Sequence, residues 1–184
     1  MAFENISLDK ALENLTDAVV FIKALVGAVA FVCGVYFVYR GVGMYRIFAN
    51  QTFGSAQRGE FAGPLVYIVV GAILIYLPTA SDVALTTIFT SEGINNTKDS
   101  DLIAYFSPGA EDAWARVALV ILQYMKLIGF IAFVRGWFIL SKMGNSGSQP
   151  GSIGKGITHI IGGVLLMNLP DTMMILAETF GYKT

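Results

Sequence analysis

The 184 residues would suffice for one modest soluble domain, but the composition excludes that class. Hydrophobic residues make up 55% of the chain and charged residues only 14%, and the mean hydropathy is +0.64. A soluble domain of this length cannot bury so much apolar surface, because much of any folded surface faces water. The net charge of −1 gives no indication of nucleic-acid binding. The composition therefore predicts an integral membrane protein.

The amino-terminal segment is polar and acidic, with neither a basic n-region nor a small-residue cleavage site. We therefore expect the first apolar segment to be retained as a membrane span. Residues 7–17 have apolar positions at helical spacing and predict an amphipathic lead-in. Residues 18–39 carry only one charge, on Lys23, and are long enough to cross ~30 Å of hydrocarbon.

The segment after this span, residues 40–60, contains three arginines and one glutamate and predicts a basic, glycine-punctuated connection. A second apolar run covers residues 61–77, is ended or kinked by Pro78, and continues with helical periodicity. Residues 91–112 are rich in turn-forming and acidic residues, which indicates a water-exposed linker.

The third apolar run, residues 114–140, has a tryptophan near each end, as interfacial aromatic residues prefer. A loop rich in Gly and Ser follows, over residues 141–156. The fourth run, residues 157–169, is short and is interrupted by Pro170, after which a helical tail is expected.

Two segments recur in the same order. KALVGAVAFVCGVYFV, from Lys23, matches KLIGFIAFVRGWFIL, from Lys126, and GAILIYLP, from Gly71, matches GVLLMNLP, from Gly163. Chance similarity between apolar segments is the alternative, but the recurring lysine, glycines and Leu-Pro favour duplication. The sequence thus predicts an all-α membrane protein with four transmembrane helices in two tandem hairpins. The first hairpin and its lead-in would occupy residues 1–90, the linker 91–112 and the second hairpin 113–184.

The charge distribution predicts the orientation of these spans. Both hairpin loops carry a basic excess, whereas the amino end and the central linker do not. The positive-inside rule then places both hairpin loops in the cytoplasm of a bacterial inner membrane. Both termini and the linker would lie outside, which in a Gram-negative cell is the periplasm.

Small residues within the runs predict helix packing, because they let helices approach closely in lipid. The candidate packing and assembly positions are Gly27, Ala30, Gly34, Gly71, Gly129, Ala132, Gly136 and Gly163. Pro78 and Pro170 are the candidate kinks. Broken helices with proline also line transport sites, so a transport site is the competing interpretation.

Basic residues are candidates for contact with lipid or with a lumen. They are Lys23, Arg40, Arg46, Arg58, Lys126, Arg135, Lys142 and Lys155. For Lys23 and Lys126 three interpretations stay open: extension of the side chain to the interface, pairing with Asp82 and Asp171, or binding of lipid phosphate.

The sequence offers little for catalysis. No P-loop, nucleophile elbow or H-E-x-x-H motif is present. His159, the only histidine, has no metal-ligand partners nearby in sequence, and Cys33, the only cysteine, lies in an apolar run. We therefore expect no enzyme activity, no catalytic or metal-binding residue and no cofactor, with phospholipid as the one candidate ligand.

The polar outer segments, the two G-x-x-A-F-V-x-G segments and the two Leu-Pro motifs together resemble the IcmC/DotE family of type IVB secretion systems. Its conjugative-plasmid relative is TraQ, and the systems are of the Dot/Icm and IncI kind. The resemblance covers residues 18–180 and implies an inner-membrane component of a machine that exports DNA or protein effectors. It implies no catalytic residues.

Each hairpin is also similar in layout to a VirB-type conjugative pilin. That likeness implies helical hairpins with bound phospholipid and a basic loop facing a lumen. The chain departs from simple pilins in its doubled length and in lacking an obvious cleaved leader.

We therefore expect a structural membrane subunit of such an apparatus, assembling in many copies and contacting lipid and other secretion-system membrane proteins. DNA or effector substrates would be met only in transit. One alternative is a pilus or channel-forming subunit of the same machine, which could reach an extracellular pilus. A more distant alternative is a small transporter or holin-like pore.

Overall fold

The structure is a computed structural model that describes residues 8–50, 62–93, 112–144 and 152–181. Every element in these ranges is helical, which confirms the all-α prediction for them. The helices are α1 (Leu8–Asn50), α2 (Ala62–Ile75), α3 (Leu77–Gly93), α4 (Asp112–Ser141), α5 (Ser152–Met167) and α6 (Leu169–Thr179). A 3-10 turn, Lys142–Gly144, follows α4.

Two helices are long and apolar enough to cross a membrane by themselves. They are α1, over Lys10–Arg46, and α4, over Trp114–Ser141. The pairs α2–α3 and α5–α6 qualify only when each bent pair is taken as one span. Each pair bends by 93° at its break. The described residues therefore provide two membrane-spanning helices, or up to four, by length and composition.

Both predicted hairpin loops are shorter than expected, because helix extends into them. Helix α1 includes the amphipathic lead-in and continues to Asn50, so about half of the basic connection is helical. Helix α5 begins at Ser152, within the predicted Gly/Ser loop. Gly41 and Gly156 lie in these extensions, and each is buried against the partner helix of its hairpin. The linker prediction falls mostly outside the described residues.

The most extensive helix contacts join α1 to α2 and α4 to α5, and the next join α1 to α4. The chain thus packs as two helical hairpins side by side. Phe37 lies between them, with ring centroids 5.7 Å from both Tyr67 and Phe138. The buried core between and within the hairpins consists of Ala30, Val70, Leu74, Leu77, Phe89, Phe130, Phe133, Val134 and Val164.

The break in each hairpin has the same construction. Backbone hydrogen bonds reach Tyr76 and Asn168, whose amides donate to Ala72 and Val164 at 3.1 and 3.2 Å. Each proline is the second residue of the helix that follows its break. It has no N–H to donate, and its ring displaces the carbonyl group four residues earlier. These features place the bends at the predicted kinks, Pro78 and Pro170.

The two tryptophans of α4 have different environments. Trp114 is 69% exposed at the start of the helix, in agreement with an interfacial position. Trp137 instead packs edge-on against Phe133, with ring centroids 6.0 Å apart, and its Nε1 is buried without a hydrogen-bond partner among the described residues. Trp137 is therefore held by packing within the chain, and its interfacial position stays a prediction.

Candidate functional site

Glycines form the contact surface inside each hairpin. A methyl group placed on Gly34 would lie 2.8 Å from the carbonyl oxygen of Gly71, and one placed on Gly129 would lie 2.8 Å from that of Gly163. No Cβ tolerates such distances to backbone, so a larger residue at any of these positions must push the helices apart. In each hairpin two backbones pack directly against each other at one glycine pair.

A second glycine contact lies further along each long helix. A methyl group on Gly41 would meet the carbonyl oxygen of Pro64 at 2.9 Å, and one on Gly136 would meet that of Gly156 at 2.8 Å. Gly41 and Gly156 were not among the predicted packing residues. The signal that could have found them is spacing, because Gly27, Gly34 and Gly41 recur every seven residues.

These contacts change the correspondence between the two halves. Matching letters align Gly34 with Gly136, but the contacts align Gly34 with Gly129 and Gly41 with Gly136. Gly27 has no atom of another helix within 4 Å of its would-be Cβ. It therefore makes no close helix contact among the described residues, and its role in assembly stays a prediction. Of the predicted alanines, Ala30 is fully buried and Ala132 half-buried.

The hairpins are staggered along their common axis. Phe37 lies beside Phe138, whereas the glycine contacts make Ala132 its counterpart in the second hairpin. This difference corresponds to a displacement of about two helical turns, or roughly 10 Å. Because the contacts align Gly34 with Gly129, Lys23 and Lys126 do not occupy equivalent positions in their hairpins, although their sequence contexts match. Arg40 and Arg135 do.

The stagger brings both lysines to one cavity between the hairpins. It has a volume of about 450 Å³ and is lined by Lys23, Lys126, Asp82, Ser81 and Gln123, together with apolar side chains of α1, α3, α4 and α5. The ammonium of Lys23 lies 5.5 Å from the ring centroid of Phe130, in the range of a cation–π contact. Tyr124 closes the outer side of the helix crossing by donating a hydrogen bond to the carbonyl of Leu15 at 3.2 Å.

Asp171, the acid following the second Leu-Pro motif, is 5% exposed and lies in the first turn of α6. The Nδ2 of Asn168 donates to its carboxylate at 2.6 Å. A carboxylate in the first turn of a helix is also favoured by the helix dipole. Asp171 thus closes the break of its own hairpin. Pairing between Asp171 and Lys126 remains a prediction.

The remaining basic residues lie at or towards the loop ends of the hairpins. Arg40, Arg46, Arg135, Lys142 and Lys155 are exposed, and Arg58 lies outside the described residues. The guanidinium of Arg40 stands 5.1 Å from the ring centroid of Tyr67 and so also joins α1 to α2. Arg135 borders an almost entirely apolar groove of about 450 Å³ between α1 and α4.

A metal-binding group is absent from the described ranges. No group of three or more His, Cys, Asp or Glu side chains in them could hold a metal ion. The Nδ1 of His159 lies 2.8 Å from the carbonyl oxygen of Lys155, one turn earlier on α5, and donates to it. Cys33 is half-buried on α1.

No family model, no curated protein and no solved structure matches this chain.

Proposed function

We propose that the chain is a structural membrane subunit that crosses the bilayer four times and assembles with further copies of itself. The observation that carries this proposal is the uncovered face of α1. Only 17% of its most apolar window is buried within the chain, against 39% for α4. A helix this apolar and this uncovered requires lipid or another protein around it.

The uncovered face of α1 also includes a stripe of smaller side chains among larger apolar ones. Ala28 and Val32 are exposed at a spacing of four residues, so they lie along this stripe. Helices associate in lipid through close packing of such small residues, since apolar side chains gain nothing over lipid tails. The stripe therefore provides a second packing face, separate from the glycines that hold each hairpin together.

The charges and the bends support four spans. In this arrangement Arg40, Arg46, Lys142 and Lys155 would lie towards one membrane face, and the two 93° breaks towards the other. The short arms α2 and α5 measure about 21 and 24 Å, so α3 and α6 would lie near the interface beyond a locally thinned bilayer. Both loops would be cytoplasmic and both termini periplasmic, in a bacterial inner membrane.

The resemblance to the IcmC/DotE family supports placing this subunit in a type IVB secretion or conjugation apparatus. The role is mechanical: helix faces hold copies together, and basic loops present positive charge to lipid or substrate. No reaction is assigned to the chain. A pilus or channel-forming subunit of the same machine uses the same packing faces and remains the first alternative.

The lysine cavity favours a second candidate, a small transporter or holin-like pore. Transport sites are often built next to broken helices that expose polar groups within the membrane. The cavity lies next to the first break and is lined by two lysines and one aspartate. A transporter functions without a repeating lattice, so the oligomeric state separates the two candidates.

Cross-linking through single cysteines tests the assembly. In a Cys33→Ser background, Ala28→Cys should give covalent dimers in native membranes, whereas Ala30→Cys, which is fully buried, should give none. Electron microscopy of the purified protein should then show rings or filaments. Equal cross-linking at both positions, or uniform monomers, would overturn the proposed assembly and favour the transporter.

A further inference from the structure

The lysine cavity continues into a second, more apolar space. The adjoining groove encloses about 470 Å³ and shares Lys23, Ser81, Asp82 and Phe130 with the cavity, along with Val20. Beyond these shared residues it is lined by Ala24, Gly27, Leu77 and Pro78. On one side of the α1–α4 crossing, the charged lysine cavity thus opens into a more apolar groove. This groove runs past the small residues Ala24 and Gly27 to the first break.

Gly27 gives the groove its width. Of the glycines at seven-residue spacing on α1, it is the one whose Cβ position has nothing within 4 Å. Gly34 and Gly41 are required for helix packing, whereas Gly27 borders empty space. A side chain there would enter the groove without disturbing a helix contact.

The charges in the chamber favour an anion. Lys23 and Lys126 contribute two ammonium groups from the two hairpins, and Asp82 contributes one carboxylate. The hydroxyls of Ser81 and Thr16 donate to carbonyls of their own helices, Pro78 and Leu12, at 2.7 and 3.0 Å. Lys23 and Lys126 are the cationic side chains among the residues that line the cavity, Asp82 is the acidic one, and the formal charge of the lining is therefore positive.

We propose that this site binds an anionic phospholipid, with the phosphate between Lys23 and Lys126 and one acyl chain along Gly27 and Pro78. The inference rests on the proposed membrane insertion but not on the assembly of copies. Charge complementarity selects the phosphate, and the apolar continuation selects a lipid over free phosphate. Lys23 and Lys126 then act together because of the stagger between the hairpins.

Native mass spectrometry of the full chain, released from a non-ionic detergent, tests this site. The probes are phosphatidylglycerol, phosphatidylcholine and inorganic phosphate. Phosphatidylglycerol should be retained over phosphatidylcholine, and Lys23→Gln and Lys126→Gln should each lower its retention about fivefold. Lys142→Gln, an exposed lysine beyond the end of α4, is the matched control and should change nothing.

Two further variants distinguish binding of the lipid headgroup from binding of its acyl chain. Gly27→Leu should abolish lipid retention while leaving the thermal stability of the protein unchanged, because it fills only the groove. Asp82→Asn should strengthen retention, since it removes the negative charge from the chamber. Weaker binding in Asp82→Asn would instead indicate a zwitterionic lipid whose ammonium meets the carboxylate.

The assignment is overturned if the lysine double variant retains phosphatidylglycerol as well as the parent does, or if inorganic phosphate alone binds. It is equally overturned if Gly27→Leu leaves retention unchanged. Failure of the Ala28→Cys cross-link with these lipid results intact would reject the assembly and keep the site. Loss of lipid specificity with the cross-link intact would do the reverse.

Discussion

Gly162 and Gly163 are adjacent on α5 but have opposite surroundings. A methyl group on Gly163 would lie 2.6 Å from the backbone nitrogen of Phe133, whereas one on Gly162 would have nothing within 4 Å. Glycine normally weakens a helix in water by about 1 kcal/mol relative to alanine. That weakness is offset at Gly163 by the close backbone contact it permits, and at Gly162 no such contact exists.

We expect Gly163→Ala to destabilise the protein by about 1–3 kcal/mol, because overpacking forces α4 and α5 apart. Gly162→Ala is the matched control and should be neutral or slightly stabilising. Thermal unfolding of both variants in one detergent measures the difference. Equal melting temperatures would show that the helices are not in backbone contact at Gly163.

Glycines were partly predictable as packing residues. The repeated motif contained Gly34, Gly129, Gly136 and Gly163, all of which lie in close contacts. Gly41 and Gly156 were missed because they follow or precede charged and Gly-rich segments that are typical of loops. Gly27 was included because its letters match, and the composition of one helix does not reveal which face its partner covers.

The heptad spacing of glycines on α1 explains why the sequence alignment of the two repeated segments differs from the alignment given by the helix contacts. The three glycines at seven-residue spacing on α1 and the two on α4 can be matched in either of two ways that differ by seven residues. Only the partner helices decide between them: Gly71 and Ile75 contact Gly34 as Gly163 and Met167 contact Gly129. The stagger between the hairpins, and hence the shared lysine cavity, depends on the same information.

The 93° break in the α5–α6 pair has a direct distance test. Spin labels at Ile153 and Leu176, both exposed, should be about 25 Å apart in the bent pair and about 35 Å apart in a continuous helix. Pulsed electron resonance in lipid nanodiscs measures this distance. Labels at Ile121 and Arg135 on unbroken α4 are the control, with about 21 Å expected. A distance near 35 Å for the first pair would reject the bend.

The bends were predictable in position but not in angle. A proline after an apolar run removes one backbone donor and displaces a carbonyl, which ends or kinks a helix. Whether the following segment continues or turns depends on contacts such as that of Thr172, whose hydroxyl lies 2.8 Å from the carbonyl oxygens of Leu165 and Asn168. No single-letter pattern specifies such contacts.

At the scale of the whole molecule, the charged residues of the hairpins fall into two groups. Lys23, Lys126 and Asp82 line the cavity beside the first bend, and Arg40, Lys142 and Lys155 are exposed towards the loop ends of the hairpins. The membrane environment was predictable from composition, because no other environment accommodates so apolar a chain. The number of crossings did not follow, since α2 and α5 are each too short to qualify alone.

Labelling of single cysteines in whole cells tests the four-span arrangement most directly. In a Cys33→Ser background, Glu13→Cys and Glu178→Cys should react with a membrane-impermeant maleimide once the outer membrane is opened. Arg46→Cys and Lys155→Cys should react only after the inner membrane is permeabilised. Reaction of Lys155→Cys and Glu178→Cys from the same side would contradict the proposal, because α5 and α6 would then enter and leave the membrane on one face.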